Sequence, residues 1–110
     1  MSLTIITSSG NTVSAEFDRR FGRAAWFCAY NEETGETKFY RNEFVNATQG
    51  AGTRVAERMM ELKAKKIISG DFGPKAKDLL DRFRIQLVVI QDTQISVQDI
   101  IERIKNKNNN

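Results

Sequence analysis

Three glycine-containing turns and one arginine-rich loop carry most of the residues able to bind a ligand. The turns are Ser8-Ser9-Gly10, Gly50-Ala51-Gly52-Thr53 and Ser69-Gly70-Asp71-Phe72-Gly73-Pro74. Glycine lets a backbone turn sharply and come close to a ligand. Free N–H groups at a helix start attract anions. For any one loop the plain alternative is a tight turn with no ligand. If all three open onto one cleft, at the carboxyl ends of parallel strands, a binding site follows. Arg19, Arg20 and Arg23 crowd a fourth loop around Phe21-Gly22. Their guanidinium groups can clamp a carboxylate, a phosphate or an anionic cluster. Equally, they can pair with Glu16 and Asp18 on a solvated loop.

The residue inventory points away from catalysis. The chain has no histidine, which removes the commonest general base, every Ser-His-Asp or Cys-His triad, and the commonest transition-metal ligand. The one cysteine, Cys28, excludes an internal disulfide. Mid-strand, it reads as a small buried hydrophobe or, less simply, as a ligand to iron. Met59 and Met60 read as core rather than thioether ligands. A two-metal nuclease needs several gathered acids, yet Leu3 to Thr7 has none, and Asp71 and Asp92 stand alone in loops. Gly50-Ala51-Gly52 is no dinucleotide fingerprint, because position 55 is Val and the motif must follow a strand. It is no phosphate-binding P-loop either, lacking the Gly-Lys-Ser/Thr ending. The expectation is a binding protein, not an enzyme.

The elements that must position these residues follow from the pattern of side chains. At 110 residues, 40% hydrophobic and 28% charged, the chain is one globular domain. Its net charge of +3 suits an acidic small ligand and lacks the dense clustering of a nucleic-acid binder. No apolar run approaches the roughly 20 residues of a membrane span, and Met1-Ser2-Leu3-Thr4 does not open a secretory signal. A cytoplasmic protein without membrane or nucleic-acid partners is expected.

Leu3 to Thr7 is β-branched and apolar, a strand. Residues 24–41 read as a β-hairpin around Glu33-Thr34-Gly35, with Trp26 and Phe27 on opposite faces. Val55, Met59 and Leu62 set a helical period, with Lys63, Lys65 and Lys66 at its carboxyl end. Ile67-Ile68 is a short strand. Pro74 opens a second helix with Ala76, Leu79, Leu80 and Phe83 on its apolar stripe. Ile85 to Ile90 is apolar throughout, as in a strand covered on both faces. Ser96 and Asp99 form a capping box, flanked by Ile95 and Ile100, for a last helix that buries Val97, Ile100, Ile101 and Ile104. Residues 1–105 form the domain and 106–110 a polar, flexible tail. Strands alternating with helices predict an α/β fold of ribonuclease H-like layout: a five-stranded mixed sheet with helices on both faces.

From Arg20-Phe21-Gly22-Arg23-Ala24 onward the chain resembles the dinitrogenase iron–molybdenum cofactor biosynthesis and carrier family, including its small stand-alone members. The likeness continues through Ala25-Trp26-Phe27, Glu33-Thr34-Gly35-Glu36, Asn42, Gly50-Ala51-Gly52 and Ser69-Gly70-Asp71-Phe72-Gly73-Pro74-Lys75-Ala76. The resemblance implies a ribonuclease H-like fold without nuclease activity. It implies a non-catalytic carrier for an iron–sulfur-based or iron–molybdenum-type anionic cluster, or its precursor, served by a cofactor-donor or acceptor protein. The matching positions place binding at Phe21, Gly22, Arg23, Gly50, Gly52, Gly70 and Gly73; the turns and the arginine loop add Ser9, Arg20, Thr53 and Ser69, with Cys28 the one candidate metal ligand. The alternative is a small-anion or protein-interaction module that does not bind metal.

Overall fold

The computed structural model describes residues 3–108. Its elements run β1 (Leu3–Ser8), β2 (Trp26–Asn31), β3 (Thr37–Arg41), α1 (Ala51–Glu61), β4 (Lys66–Ser69), α2 (Pro74–Arg82), β5 (Gln86–Val89) and α3 (Val97–Asn108). The strands form one sheet in the order β3-β2-β1-β4-β5. β2 is antiparallel to both its neighbours, while β1, β4 and β5 are mutually parallel. The mixed five-stranded sheet and the α/β class are as expected from the sequence.

Side chains alternate along a strand, so each strand feeds two cores. Ile5, Phe27 and Ile67 meet Val55, Met59, Ala76 and Leu80 from α1 and α2 on one face. Ile6, Cys28 and Ile68 meet Val97, Ile100, Ile101 and Ile104 from α3 on the other. Helices therefore cover both faces. Among the described residues, no helix is long and apolar enough to cross a membrane.

The hairpin closes as its sequence indicates. Asn31 Oδ1 accepts from the N–H groups of Glu33 and Thr34, and Gly35 takes φ 79°, which glycine adopts without strain. The capping box at α3 forms in both directions. Ser96 N–H donates to Asp99 Oδ2 at 2.9 Å, and Asp99 N–H donates to Ser96 Oγ at 3.0 Å. Ser96→Ala should therefore cost about 1 kcal/mol, read as a melting temperature lower by about 5 °C.

Three expectations are corrected. β5 is covered on both faces only in part: Leu87 packs against one core and Val88 against the other, while Gln86 is exposed and Val89 54% exposed at the sheet edge. An apolar run signals burial of side chains, not whether the strand has two neighbours. Lys65 and Lys66 are not part of the first helix's end. α1 stops at Glu61, Lys63 turns left-handed at φ 61°, and Lys65 N–H already donates to Leu3 O as the chain enters β4. The polar stretch after Lys105 does not leave the helix. α3 continues to Asn108, whose side-chain amide donates to Glu32 Oε1 at 3.0 Å. The last two residues of the expected tail, and Met1-Ser2 of the supposed non-signal start, lie outside the described residues.

The irregular segment between β1 and β2 lies across the carboxyl ends of the parallel strands. Ser9 N–H donates to Glu16 O, Asp18 N–H to Thr7 O, Phe17 N–H to Ile95 O and Gly70 N–H to Arg19 O. These bonds tie the loop to β1, to the turn after β4 and to the approach to α3. It is this loop that shapes the site.

Candidate functional site

The loop 17–24 divides the carboxyl-end surface into two neighbouring depressions. Phe21 stands in sequence between Arg20, which lines one, and Gly22, which lines the other. It is 1% exposed and packs against Phe72 with ring centroids 5.0 Å apart. Asn42, itself buried, pins the loop from the far side: its Nδ2 donates to Gly22 O at 3.1 Å and to Ala24 O at 2.8 Å, while its Oδ1 accepts from Phe44 N–H. Gly22 sits so close to the start of α1 that an added Cβ would lie 3.0 Å from Gly52 N.

The first depression, about 550 Å³, opens beyond β1, β4 and β5 and is lined by Ser9, Glu16, Phe17, Asp18, Arg19, Arg20, Gly70, Asp71 and Gln91. Its charges are mixed. Arg20 is taken up by Asp18, with Nε–Oδ1 3.1 Å and Nη2–Oδ2 2.9 Å. Glu16 and Asp71 add two more carboxylates. A polyanion gains little in such surroundings.

The second depression is a groove of about 490 Å³ lined by Gly22, Arg23, Gly50, Ala51, Gly52, Thr53, Gly73, Pro74, Lys75 and Ala76. It lies where the starts of α1 and α2 come together. Arg54 N–H makes the first bond inside α1, to Gly50 O, and Lys77 N–H the first inside α2, to Gly73 O. The amides of Ala51, Gly52, Thr53, Lys75 and Ala76 come before these bonds, and none has an acceptor among the described residues. Pro74 has no amide to satisfy. Neither helix has a capping side chain or an acid in its first turn. α3 has both. A helix start concentrates partial positive charge, and here two of them meet. The groove's charged side chains, Arg23 and Lys75, are also cationic. It contains no carboxylate.

Most of the expected site residues are thus brought to one surface, though shared between two depressions. Gly22, Arg23, Gly50, Gly52, Thr53 and Gly73 line the groove; Ser9, Arg20 and Gly70 line the mixed-charge depression. Phe21, Ser69 and Cys28 line neither. Phe21 is core, and Ser69 is fully buried with its hydroxyl accepting from Thr7 Oγ1 at 2.9 Å. The three arginines do not converge as a clamp. Arg20 pairs with Asp18, and Arg23 Nη1 braces the following loop through the carbonyls of Val45 (3.0 Å) and Ala47 (2.6 Å). Trp26 lies under the Arg41 guanidinium, 5.5 Å from its ring centre. Lys75 and Ala76 were missed as site residues. Their position just after Gly73-Pro74, at a helix start, was the signal that could have found them.

Cys28 is fully buried on the α3 side of the sheet, away from both depressions. Burial pushes its thiol up to about 12. Since the thiolate is both the metal ligand and the nucleophile, the native protein at pH 8 should resist alkylation by iodoacetamide, whereas the chain unfolded in guanidinium should react fully, as mass spectrometry would show. Among the described residues no three His, Cys, Asp or Glu side chains gather to hold a metal ion.

Fold and surface together define a small α/β domain with an anion-attracting groove at two helix starts. The chain belongs to the dinitrogenase iron-molybdenum cofactor family, whose model matches residues 1–107. Solved structures agree. The apo form of the orange protein from Desulfovibrio gigas is 25% identical, with a TM-score of 0.88, over 97% of this chain and 89% of that one. A NifB-like protein of the DUF35 family from Thermotoga shares the fold at 24% identity and a TM-score of 0.81, over 96% of this chain and 89% of the other. No curated protein sequence matches the chain. It is a small cofactor-related protein.

Proposed function

We propose that the groove between α1 and α2 receives an anionic iron–sulfur-based cluster of the iron–molybdenum cofactor type, or its precursor, and carries it without catalysing its conversion. One observation carries this reading: two uncapped, acid-free helix starts face a single groove whose charged side chains are all positive. The five amides would donate hydrogen bonds to sulfide or oxygen atoms on the cluster surface, and Arg23 and Lys75 would offset its charge.

Two glycines support the reading because their neighbours do not require them. A Cβ at Gly52 would touch only Ala76 Cβ at an ordinary 3.5 Å, and one at Gly73 would meet nothing within 4 Å. Glycine inside a helix costs about 0.5–1 kcal/mol relative to alanine. Its retention at position 52 leaves the backbone bare where a ligand would approach.

Holding by hydrogen bonds and charge, rather than by a metal–ligand bond, suits a carrier that must release its load. The load would pass to or from a donor or acceptor protein that competes for the same cluster. The acids of the neighbouring depression do not suggest hydrolysis: Asp18 is engaged by Arg20, and Asp71 Oδ1 faces the Phe21 N–H at 3.4 Å.

The test is anaerobic gel filtration of the protein mixed with isolated iron–molybdenum cofactor, followed by metal analysis and a visible spectrum of the protein peak. Co-elution of iron and molybdenum in fixed ratio to protein is expected. A colourless, metal-free peak that still binds phosphate or sulfate would favour a small-anion module instead.

A further inference from the structure

The two helices that start at the groove end together at another depression. It measures about 500 Å³ and is lined by Met60, Lys63, Ala64, Lys65, Phe83 and Ile85. α1 has 11 residues, a length of about 16 Å, so the depression and the groove stand at opposite ends of the helix pair.

Its floor is apolar. Ala64 and Ile85 are buried and Met60 is half-buried. Phe83 belongs by sequence to the apolar stripe of α2, yet it falls at the residue where the helix ends and stays 53% exposed. Leu80, one turn earlier, fills the core in its place. Aromatic and methionine side chains left at a surface are the usual centre of a protein contact.

Its rim is cationic. Lys63 and Lys65 are both exposed, and neither has an ion-pair or side-chain hydrogen-bond partner among the described residues. Three cations of the same helices do have carboxylate partners: Arg58 lies 4.0 Å from Glu61, Lys77 2.9 Å from Asp81 and Arg82 3.1 Å from Asp78. Lys63 also holds a left-handed conformation, φ 61°, where a helix end favours glycine. A cation at such a place ordinarily offsets the negative pole of the helix. Here backbone donors already answer that pole. Arg58 O, Met59 O and Met60 O accept from the N–H groups of Leu62, Ala64 and Lys63, while Leu80 O and Asp81 O accept from those of Phe83, Ile85 and Arg84. The two lysine charges are left facing outward beside an apolar floor, and no carboxylate lines the depression.

We propose that this depression docks an acidic segment of a partner protein, one that presents an apolar side chain flanked by carboxylates. The apolar side chain covers Phe83 and rests on Met60 and Ile85. The carboxylates pair with Lys63 and Lys65, which a basic segment would repel and an uncharged one would leave unpaired. Beyond Met60 lies a separate depression lined by Glu57 and Glu61, so the carboxylates of the segment are confined to the lysine side. A segment held here leaves the groove open at the other end of the helices. The inference does not depend on what the groove carries.

Fluorescence anisotropy with the full chain tests it, using short fluorescein-labelled peptides. One alternates glutamate with leucine, one glutamate with serine and one lysine with leucine. Saturable binding of the glutamate–leucine peptide alone is expected, weakening as salt is added. Lys65→Glu and Phe83→Ser should each weaken it about tenfold or more. Lys38→Glu, the same change of charge at an exposed position of β3, should leave it unaltered. Lys63→Gly should melt at a higher temperature than the parent, because the left-handed turn is relaxed, and yet bind the peptide less tightly, which separates lost charge from lost fold. No binding of the glutamate–leucine peptide, equal binding of the glutamate–serine peptide, or binding indifferent to Lys65→Glu and Phe83→Ser would overturn the inference.

Discussion

Gly70→Ala should cost about 3 kcal/mol of stability, lowering the melting temperature by about 12 °C in a domain of this size. The added Cβ would lie 2.2 Å from Arg19 Cβ and 2.7 Å from both the Cα and the O of Arg19. Two of these three are backbone atoms, so no rotamer change removes the clash. The approach is also a bonded one: Gly70 N–H donates to Arg19 O at 3.0 Å, and Gly70 O accepts from Gln91 Nε2. Relief requires loop 17–24 to lift from the turn after β4, which breaks that bond and disturbs Phe21 against Phe72. Gly73→Ala is the comparison: its Cβ meets nothing within 4 Å and its φ of −61° suits any residue, so only the loss of about 0.5–1 kcal/mol for alanine at an N-cap is expected. Thermal unfolding followed by circular dichroism reads both. Equal melting temperatures would show that the loop does not depend on this contact.

The second large effect is on binding. Gly73→Asp should reduce cluster retention by a factor of about 100 or more, equivalent to about 2.7 kcal/mol, while leaving the fold intact or slightly more stable. Gly73 is the N-cap of α2, with φ −61° and ψ 155°, and has no capping side chain. Aspartate is among the best N-caps and exceeds glycine by a few tenths of a kcal/mol. Its carboxylate would bond to the α2 amides that the cluster is proposed to use, and would place a negative charge in a groove that has none. Stability and binding therefore move in opposite directions, which a merely disruptive change cannot produce. Anaerobic gel filtration with metal analysis, beside a thermal melt, gives both readings. Undiminished metal retention in the variant would remove α2 from the site.

Much of the architecture was legible because the signals were local. The Ser96–Asp99 box is a three-residue pattern, and both of its bonds form. The Glu33-Thr34-Gly35 turn and the start at Gly73-Pro74 are equally short-range. The order of strands and helices gave the mixed sheet. What escaped was set by partners distant in sequence. Nothing near position 85 shows that β5 has a neighbour on one side alone. Arg20 could equally have faced a ligand, and it is the placing of Asp18 two residues earlier on an ordered turn that claims it. Arg23 was expected to hold an anion directly, but the carbonyls of Val45 and Ala47 engage one of its nitrogens. Phe21 entered the expected site through its place in the family-like segment; its ring is buried against Phe72, and it stands in sequence between Arg20 of one depression and Gly22 of the other. The glycines were legible as a set, but not their division into two kinds. Gly22 and Gly70 answer to close backbone contacts, whereas nothing in the chain's own packing demands Gly52 or Gly73.

Nitrogen–proton correlation spectra of the labelled protein, recorded during anaerobic titration with isolated iron–molybdenum cofactor, bear most directly on the groove. The amide signals of Ala51, Gly52, Thr53, Lys75 and Ala76 should shift or broaden first and together, with Gly22 and Arg23 close behind. Unchanged signals there, with changes gathered instead at Ser9, Gly70 and Gln91, would contradict the assignment of the groove.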